Sequence, residues 1–422
     1  MSQGFESTDN TLQADGVALA RIAAVCGTPC YVYSSGQLDR NVERLKTALR
    51  RALPASNQPL IAFACKANSN LGVLNHLAGL GLGADVVSGG ELVRAQAAGI
   101  DPARIVFSGV GKSDEDIEYA IRAHVAQINI ESAPELERVV AIAQQLGITA
   151  RVAFRLNPDV DAQTHAKITT GKEDNKFGLP AEVITPLYRQ AAHTSFIDVQ
   201  GLSVHIGSQL TTLAPFREAF SKIASFARQL AAEGLPLRSL DLGGGLGIVY
   251  DREQAPCLDG YAELIRELIS PLGVKIILEP GRLLVGDAGL LLARVTYIKK
   301  TKTRQYMVLD AGMNDLVRPA LYEAWHEIRP VVDSAAPPEM YDVVGPVCET
   351  GDTFARDRAL PPLLAGDLLA IMNAGAYGFA MASRYNTRPL PAEVMTRNGH
   401  FRVIRHRENI RDILEEEAIP AW

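Results

Sequence analysis

With 422 residues, 47% of them hydrophobic and 21% charged, the chain has ordinary globular composition and length enough for two domains and a large buried core. A formal net charge of −6 and a pI near 5.8 exclude a surface built to grip nucleic acid or an anionic membrane. There is no membrane-length apolar run, no signal-peptide pattern and no CxxC pairing among the five cysteines, which argues against a span, a structural disulfide or a bound metal and predicts a protein of the reducing cytoplasm.

In chain order, residues 1 to about 24 are polar and lead into a helical pattern, and Thr28 to Ser34 reads as a strand. A regular alternation then begins. Short strand-like runs fall at 60–65, 84–87, 105–107, 127–130, 151–155, 201–205, 239–242 and 275–278, with helical periodicity between them. The clearest helix is 135–146, with Leu136, Val139, Val140, Ala143 and Leu146 on one face. Ser132 with Glu135 predicts a capping box at its start, Gly147 marks its stop, and Ser88 with Glu91 gives the same start signal earlier. Eight such strands predict a parallel sheet closed as a (β/α)8, TIM-like barrel over residues 36–282.

From about Gly286 the pattern changes. Strand-like runs at 294–299, 306–309, 341–344, 367–372 and 400–405 are separated by Pro- and Gly-bearing turns, with helical signal only near 319–328 and 409–417. This predicts a mostly β-barrel domain built from residues 283–422 and completed by the N-terminal strand in 1–35.

In such barrels the site lies at the carboxyl ends of the strands, and the residues there are chemically distinctive. Phe63-Ala64-Cys65-Lys66-Ala67-Asn68 places an ammonium where the first apolar run stops. A free charge there is costly. It is relieved by a lowered pKa or by a Schiff base, unless the side chain simply snorkels into water. Asp85 lies in the second run, and the sixth ends His205-Ile206-Gly207-Ser208-Gln209. The seventh opens into Gly243-Gly244-Gly245-Leu246-Gly247, and the eighth ends Glu279-Pro280-Gly281-Arg282. A glycine loop lets amides approach a phosphate, although alone it is equally a tight turn or a weak dinucleotide fingerprint. Glu279 suits a protonated pyridine nitrogen, or else a salt bridge to Arg282, and His205 suits an aromatic ring face, or else a core position. Together they point to pyridoxal 5′-phosphate.

These four motifs, in this order, resemble those of the fold-type III pyridoxal phosphate-dependent decarboxylases. Thr164-His165, Thr169-Thr170-Gly171 and Lys176-Phe177-Gly178 resemble that family's barrel. Arg318-Pro319-Ala320-Leu321-Tyr322, Cys348-Glu349-Thr350-Gly351-Asp352 and Ala376-Tyr377-Gly378 resemble its β domain. Phe63 departs from the tyrosine often found there. The resemblance implies that Lys66 carries the cofactor, with Asp85 also in the cofactor site, and that His205 stacks on the ring. It implies that Ser208, Gly243, Gly244, Gly245 and the Gly281-Arg282 backbone bind the phosphate, with Glu279 on the ring nitrogen. Arg282, Arg318 and Tyr322 would hold a distal carboxylate of the substrate and Glu349 its ammonium. Tyr377 would touch both cofactor and substrate, and Cys348 would donate the proton. Cys348 and Glu349 would serve the neighbouring subunit, making a homodimer the active unit.

The activity implied is decarboxylation of meso-2,6-diaminopimelate to L-lysine, the last step of lysine biosynthesis. Ornithine- or arginine-type decarboxylation and a non-catalytic regulatory homologue are the alternatives. Taken singly, Cys348 reads as a small buried hydrophobe, Arg318 and Tyr322 as a surface pair, and Tyr377 as a turn residue.

Overall fold

The structure, a computed structural model, describes residues 4–161 and 175–422; the Thr164-His165 and Thr169-Thr170-Gly171 motifs lie outside the described residues. The chain forms two compact units, Asn41–Val249 with Glu253–Leu283, and Met1–Arg40 with Tyr250–Arg252 and Leu284–Trp422.

The first unit is a closed parallel barrel. Its strands are β1 (Leu60–Ala64), β2 (Gly83–Val86), β3 (Ile105–Phe107), β4 (Gln127–Ile130), β5 (Ala150–Leu156), β6 (Ile197–Val204), β7 (Ser239–Asp241) and β8 (Lys275–Leu278). Neighbours in sequence pair in parallel, and β8 returns to β1 through Ile277↔Leu60 and Leu278↔Ile61, closing the cylinder. The predicted runs match these strands within a few residues at each end, because each is a short β-branched or apolar stretch bounded by helix starts. Its interior combines apolar packing, such as Ala62, Val106 and Ile277, with buried polar side chains: Asp85, Gln127, Asn129, Ser239 and Asp241.

The helix predicted over 135–146 runs Ala133–Leu146, stops at left-handed Gly147, and is capped by Ser132 Oγ, which accepts from Glu135 N at 3.2 Å. The capping box is incomplete. Glu135 Oε2 accepts from Glu131 N at 2.6 Å rather than from Ser132, because its other oxygen is held 2.7 Å from buried Lys112 Nζ. Ser88 and Glu91 repeat the pattern: Ser88 Oγ caps Glu91 N, while Glu91 Oε2 accepts from Val87 N at 2.9 Å.

The second unit is mostly β. Cys30–Ser34 runs antiparallel to Gly289–Lys300 and parallel to Ala392–Arg397, so the N-terminal strand lies inside a nine-stranded sheet. Three strands of that sheet are not legible as periodic runs: Ile328–Pro330, Thr353–Leu360 and Ala392–Arg397. Thr353–Leu360 carries Arg356, Asp357 and Arg358 in succession, which hides the alternation. Ile328–Pro330 displaces the end of the helix predicted over 319–328, which is confined to Arg318–Tyr322. The polar N-terminus is a small antiparallel sheet, Phe5–Thr8, Thr11–Ala14 and Val17–Ala18, whose Phe5, Leu12 and Val17 join the core with Leu19, Val32, Leu290 and Val394. Among the described residues no helix is long and apolar enough to cross a membrane.

Candidate functional site

β1 stops at Ala64, and Cys65–Ala67 make one turn of 3₁₀ helix, which carries Lys66 just beyond the strand. Lys66 Nζ lies 2.5 Å from Asp85 Oδ2; the Lys66 side chain keeps 31% of its surface and Asp85 none. A buried carboxylate thus offsets the cost of the strand-end ammonium. The other oxygen, Asp85 Oδ1, is buried without a hydrogen-bond partner among the described residues.

Glu279 follows β8 and is buried. Its Oε1 accepts from Ser108 Oγ at 3.3 Å, and it is hydrogen-bonded to Asp241 at the end of β7. Burial, then the charges of Asp241 and Asp85, push the Glu279 carboxyl well above the usual carboxylate range, against the opposing pull of Lys66. These residues fit a protonated pyridine. Its N–H would find an acceptor in Glu279, and its positive charge would relieve the crowding of three carboxylates around one ammonium.

His205 directly follows β6, and its Nδ1 accepts from Gly244 N at 3.1 Å, so the ring's proton sits on Nε2. Burial, with the nearby Lys66 and Arg155 charges, holds this imidazole well below its usual range, so it is neutral. A neutral ring stacks on an aromatic face without repelling a pyridinium.

The glycine loop is sterically obligate. Gly243 has φ +67°, and a Cβ there would lie 2.3 Å from the Val204 carbonyl oxygen; at Gly244 it would lie 2.1 Å from that of Glu279. Gly243 N donates to Asp241 Oδ1 at 3.0 Å and Gly244 N to His205, so Gly245 is the loop amide engaged in neither bond. Gly244→Ala is expected to lower stability by about 1–3 kcal/mol through this overlap. Thermal melting measures it, and an unchanged midpoint would mean that the loop yields without cost.

Arg282 is buried, with Nη2 and Nε donating to Ser208 Oγ at 3.2 and 3.4 Å. Gly281 packs its backbone against β1, since a Cβ there would sit 3.1 Å from those of Ala64 and Ala67.

Two further charged residues brace this rim. Arg155, at the end of β5, donates to Glu131 Oε1 at 2.9 Å, and both are buried. Glu131 also accepts from Gly109 N and Gly178 N, at 2.9 and 3.2 Å, while the Arg155 guanidinium lies 4.9 Å from the Phe177 ring centroid. The Lys176-Phe177-Gly178 motif is tied to the barrel in this way. Glu131 stood in no motif, and only the pairing of β4 with β5 brings it to Arg155.

In the β unit, Arg318 and Tyr322 open and close one short helix and share a face, as their spacing predicts. Arg318 is no surface residue: it is buried, its guanidinium 4.5 Å from the Tyr250 ring centroid. Its Nη1 is 2.9 Å from His326 Nε2, and His326 Nδ1 is 2.7 Å from the Met372 carbonyl. The carbonyl only accepts, so Nδ1 carries the proton and Nε2 accepts from the guanidinium. His326 was invisible as a partner because the turn after the helix, not helical spacing, returns it to Arg318.

Cys348 and Glu349 are exposed on one turn, where Cys348 N donates to Asn386 Oδ1 at 3.0 Å and the nearby Glu349 carboxylate raises the Tyr385 hydroxyl above its usual range. Tyr377 is half-buried with φ +54°, a left-handed conformation unfavourable for tyrosine.

The family profile of the pyridoxal-dependent decarboxylases, for their pyridoxal-binding domain, matches residues 37–286. The diaminopimelate decarboxylase of Zymomonas mobilis subsp. mobilis is 47% identical over 420 residues, covering 99% of each chain. That of Pseudomonas aeruginosa is 47% identical over 415 residues, covering 98% of this chain and 99% of its own. Among solved structures, diaminopimelate decarboxylase from Helicobacter pylori complexed with L-lysine superposes with a TM-score of 0.90 at 43% identity, covering 94% of this chain and 98% of that one. The M. jannaschii enzyme in co-complex with L-lysine gives 0.94 at 39% identity, covering 99% and 98%.

Proposed function

The chain belongs to the pyridoxal-dependent decarboxylase family, and from that premise we propose that it decarboxylates meso-2,6-diaminopimelate to L-lysine and carbon dioxide, the last step of lysine biosynthesis. The observation that carries this reading is the full-length match to relatives named for that reaction, two of which are seen in solved structures with its product.

Pyridoxal phosphate, when bound, draws into its ring the electron pair left by departing carbon dioxide, provided that its ring nitrogen stays protonated. The residues of this chain do the rest. Lys66 Nζ holds the cofactor aldehyde and frees the product, with Asp85 as its counter-ion. Glu279 would hold the proton on the ring nitrogen, and neutral His205 would stack against the ring. Ser208, the Gly243-Gly244-Gly245 loop and the Gly281-Arg282 backbone bind the phosphate, with the Gly245 amide best placed to donate. Arg282, Arg318 and Tyr322 bind the distal carboxylate and Glu349 the distal ammonium, while Tyr377 contacts cofactor and substrate. Cys348 Sγ delivers a proton to the α carbon.

Barrel residues within 36–282 and β-domain residues within 1–35 and 283–422 supply these roles, and the working unit is a cytoplasmic homodimer in which Cys348 and Glu349 serve the neighbouring subunit's barrel. A diamine lacking the distal carboxylate would forgo the charge-assisted contacts of Arg282 and Arg318, which sets the substrate preference.

The test is an absorbance spectrum of the purified protein, then trapping of carbon dioxide from diaminopimelate, ornithine and arginine in parallel. A yellow protein that turns over diaminopimelate alone supports the assignment. Preference for ornithine or arginine would overturn the distal-end roles, and a colourless protein that cannot be reconstituted would overturn the catalysis. Arg318→Ala is expected to lower kcat/KM for diaminopimelate by about 10²-fold, the loss of one charge-assisted contact, while leaving cofactor affinity intact. Loss of the cofactor instead would remove Arg318 from the substrate end.

A further inference from the structure

Beneath the cofactor site, the barrel holds a one-directional hydrogen-bond network that no motif announced. Ser239 Oγ donates to Gln127 Oε1 at 3.0 Å, and Gln127 Nε2 donates to Asn129 Oδ1 at 2.8 Å. Asn129 Nδ2 donates to Ser108 Oγ at 3.0 Å, and Ser108 Oγ donates to Glu279 Oε1 at 3.3 Å. Asn129 Nδ2 and Gln127 Nε2 also reach Asp241 Oδ2, at 3.1 and 3.4 Å, and Gly243 N reaches Asp241 Oδ1 at 3.0 Å. All four side chains of the relay are nine-tenths or more buried.

The network ends on two buried carboxylates, Asp241 and Glu279, hydrogen-bonded to each other. With no cationic ring against them, two neighbouring carboxylates in a desolvated site resist being ionised together, so one proton lies between them. Its position follows from the donors. Asp241 accepts three hydrogen bonds, from a backbone amide and two side-chain amides, and Glu279 accepts one from a hydroxyl. The better-solvated anion is Asp241, so Glu279 carries the proton and donates it to Asp241.

We propose that Asp241 is a positioning residue that keeps Glu279 protonated until the cofactor docks, and that the arriving pyridinium N–H expels this proton to solvent as it takes Glu279 as its acceptor. The inference rests on the pyridoxal phosphate reading of the site. Before docking the pair holds one proton; afterwards both carboxylates are ionised, with the ring nitrogen's own proton between ring and Glu279, so one proton leaves.

The surrounding charges agree. Burial pushes Asp241 up to about 6, with Asp85 adding to the rise and the hydrogen bonds from Glu279, Gly243 and Asn129 opposing it. From the other elements Lys66 and Asp85 face Glu279, and Tyr261, itself pushed up by burial and by Asp241, faces the pair from its helix. A cationic ring meets a donor where its N–H needs an acceptor, so Glu279 must give up its proton; a neutral ring nitrogen would accept that hydrogen bond and no proton would leave.

The experiment is calorimetric titration of the full-length apoprotein with pyridoxine 5′-phosphate, which lacks the aldehyde and does not couple to Lys66, in buffers of different ionisation enthalpy near pH 7. Wild type is expected to release about one proton on binding and Asp241→Asn fewer, because the substitution removes the Asp241 charge that adds to burial in holding the proton on Glu279. Equal proton counts would overturn the proposal. Should Asp241→Asn fail to fold, infrared spectroscopy of wild type decides. A protonated-carboxyl band in the apoprotein that vanishes on ligand addition supports the shared proton, and a band that is absent or unmoved refutes it. Failure of wild type to bind pyridoxine 5′-phosphate would instead count against the cofactor reading, with the apoprotein band still deciding the shared proton.

Discussion

Lys66→Arg is expected to abolish turnover of diaminopimelate, with a fall in kcat/KM of about 10⁴-fold or more and loss of the yellow chromophore. Arginine is the informative replacement. Asp85 is fully buried, and its only ion-pair partner among the described residues is the Lys66 ammonium. Removing that cation by Lys66→Ala would leave a buried charge uncompensated, a penalty of about 3–5 kcal/mol that would mix instability with lost chemistry. A guanidinium keeps the counter-ion but, always protonated, has no free electron pair with which to hold the aldehyde. The expected outcome is therefore a folded protein, with a thermal midpoint near that of wild type, that neither colours with pyridoxal phosphate nor releases carbon dioxide. Appreciable turnover by Lys66→Arg would remove Lys66 from its assigned role.

The parts of this site that were legible in the sequence are those whose chemistry is local. Lys66 was visible because an apolar run stops on it, and the glycine loop because three consecutive glycines are expensive unless backbone must approach something closely. In the structure Gly243 and Gly244 are constrained by the Val204 and Glu279 carbonyls, close contacts with neighbouring strands. The barrel was legible for the same reason, since each βα unit announces itself within its own stretch of chain.

What stayed hidden depends on strands far apart in sequence. Asp241 lies inside the predicted run 239–242, and nothing local marks it as Glu279's partner; pairing of β7 with β8 brings the two together. His326 reaches Arg318 through a turn, and Glu131 reaches Arg155 across a strand pair. In the β unit, Glu393 stands in no predicted element, yet it is buried and satisfied by the Tyr33 hydroxyl at 2.7 Å and Arg405 at 2.8 Å. Charged residues that are neutralised across a sheet defeat periodicity, and this is why the strand Ala392–Arg397 was missed.

Cys348→Ala is expected to slow product formation by about 10³-fold, within the range a positioned general acid contributes, while leaving the chromophore and cofactor affinity unchanged. Cys348 is exposed on its own chain, where neither its thiol nor the neighbouring Glu349 is embedded in apolar surroundings as a structural cysteine would be. In a turn held by Asn386, the exposed thiol is open to a neighbouring subunit. This gives the homodimer proposal a sharp test. Under that proposal Lys66→Arg and Cys348→Ala would each disable a different member of a shared site, so neither variant alone would turn over at a useful rate. Mixed in equal amounts and allowed to exchange subunits, about half the dimers would be hybrids, each with one site built from two intact contributions and one carrying both lesions. Activity should then return to about a quarter of wild type and rise no further with incubation. If Lys66 and Cys348 of one chain served the same site, every site in every dimer would keep one lesion, and mixing would restore nothing.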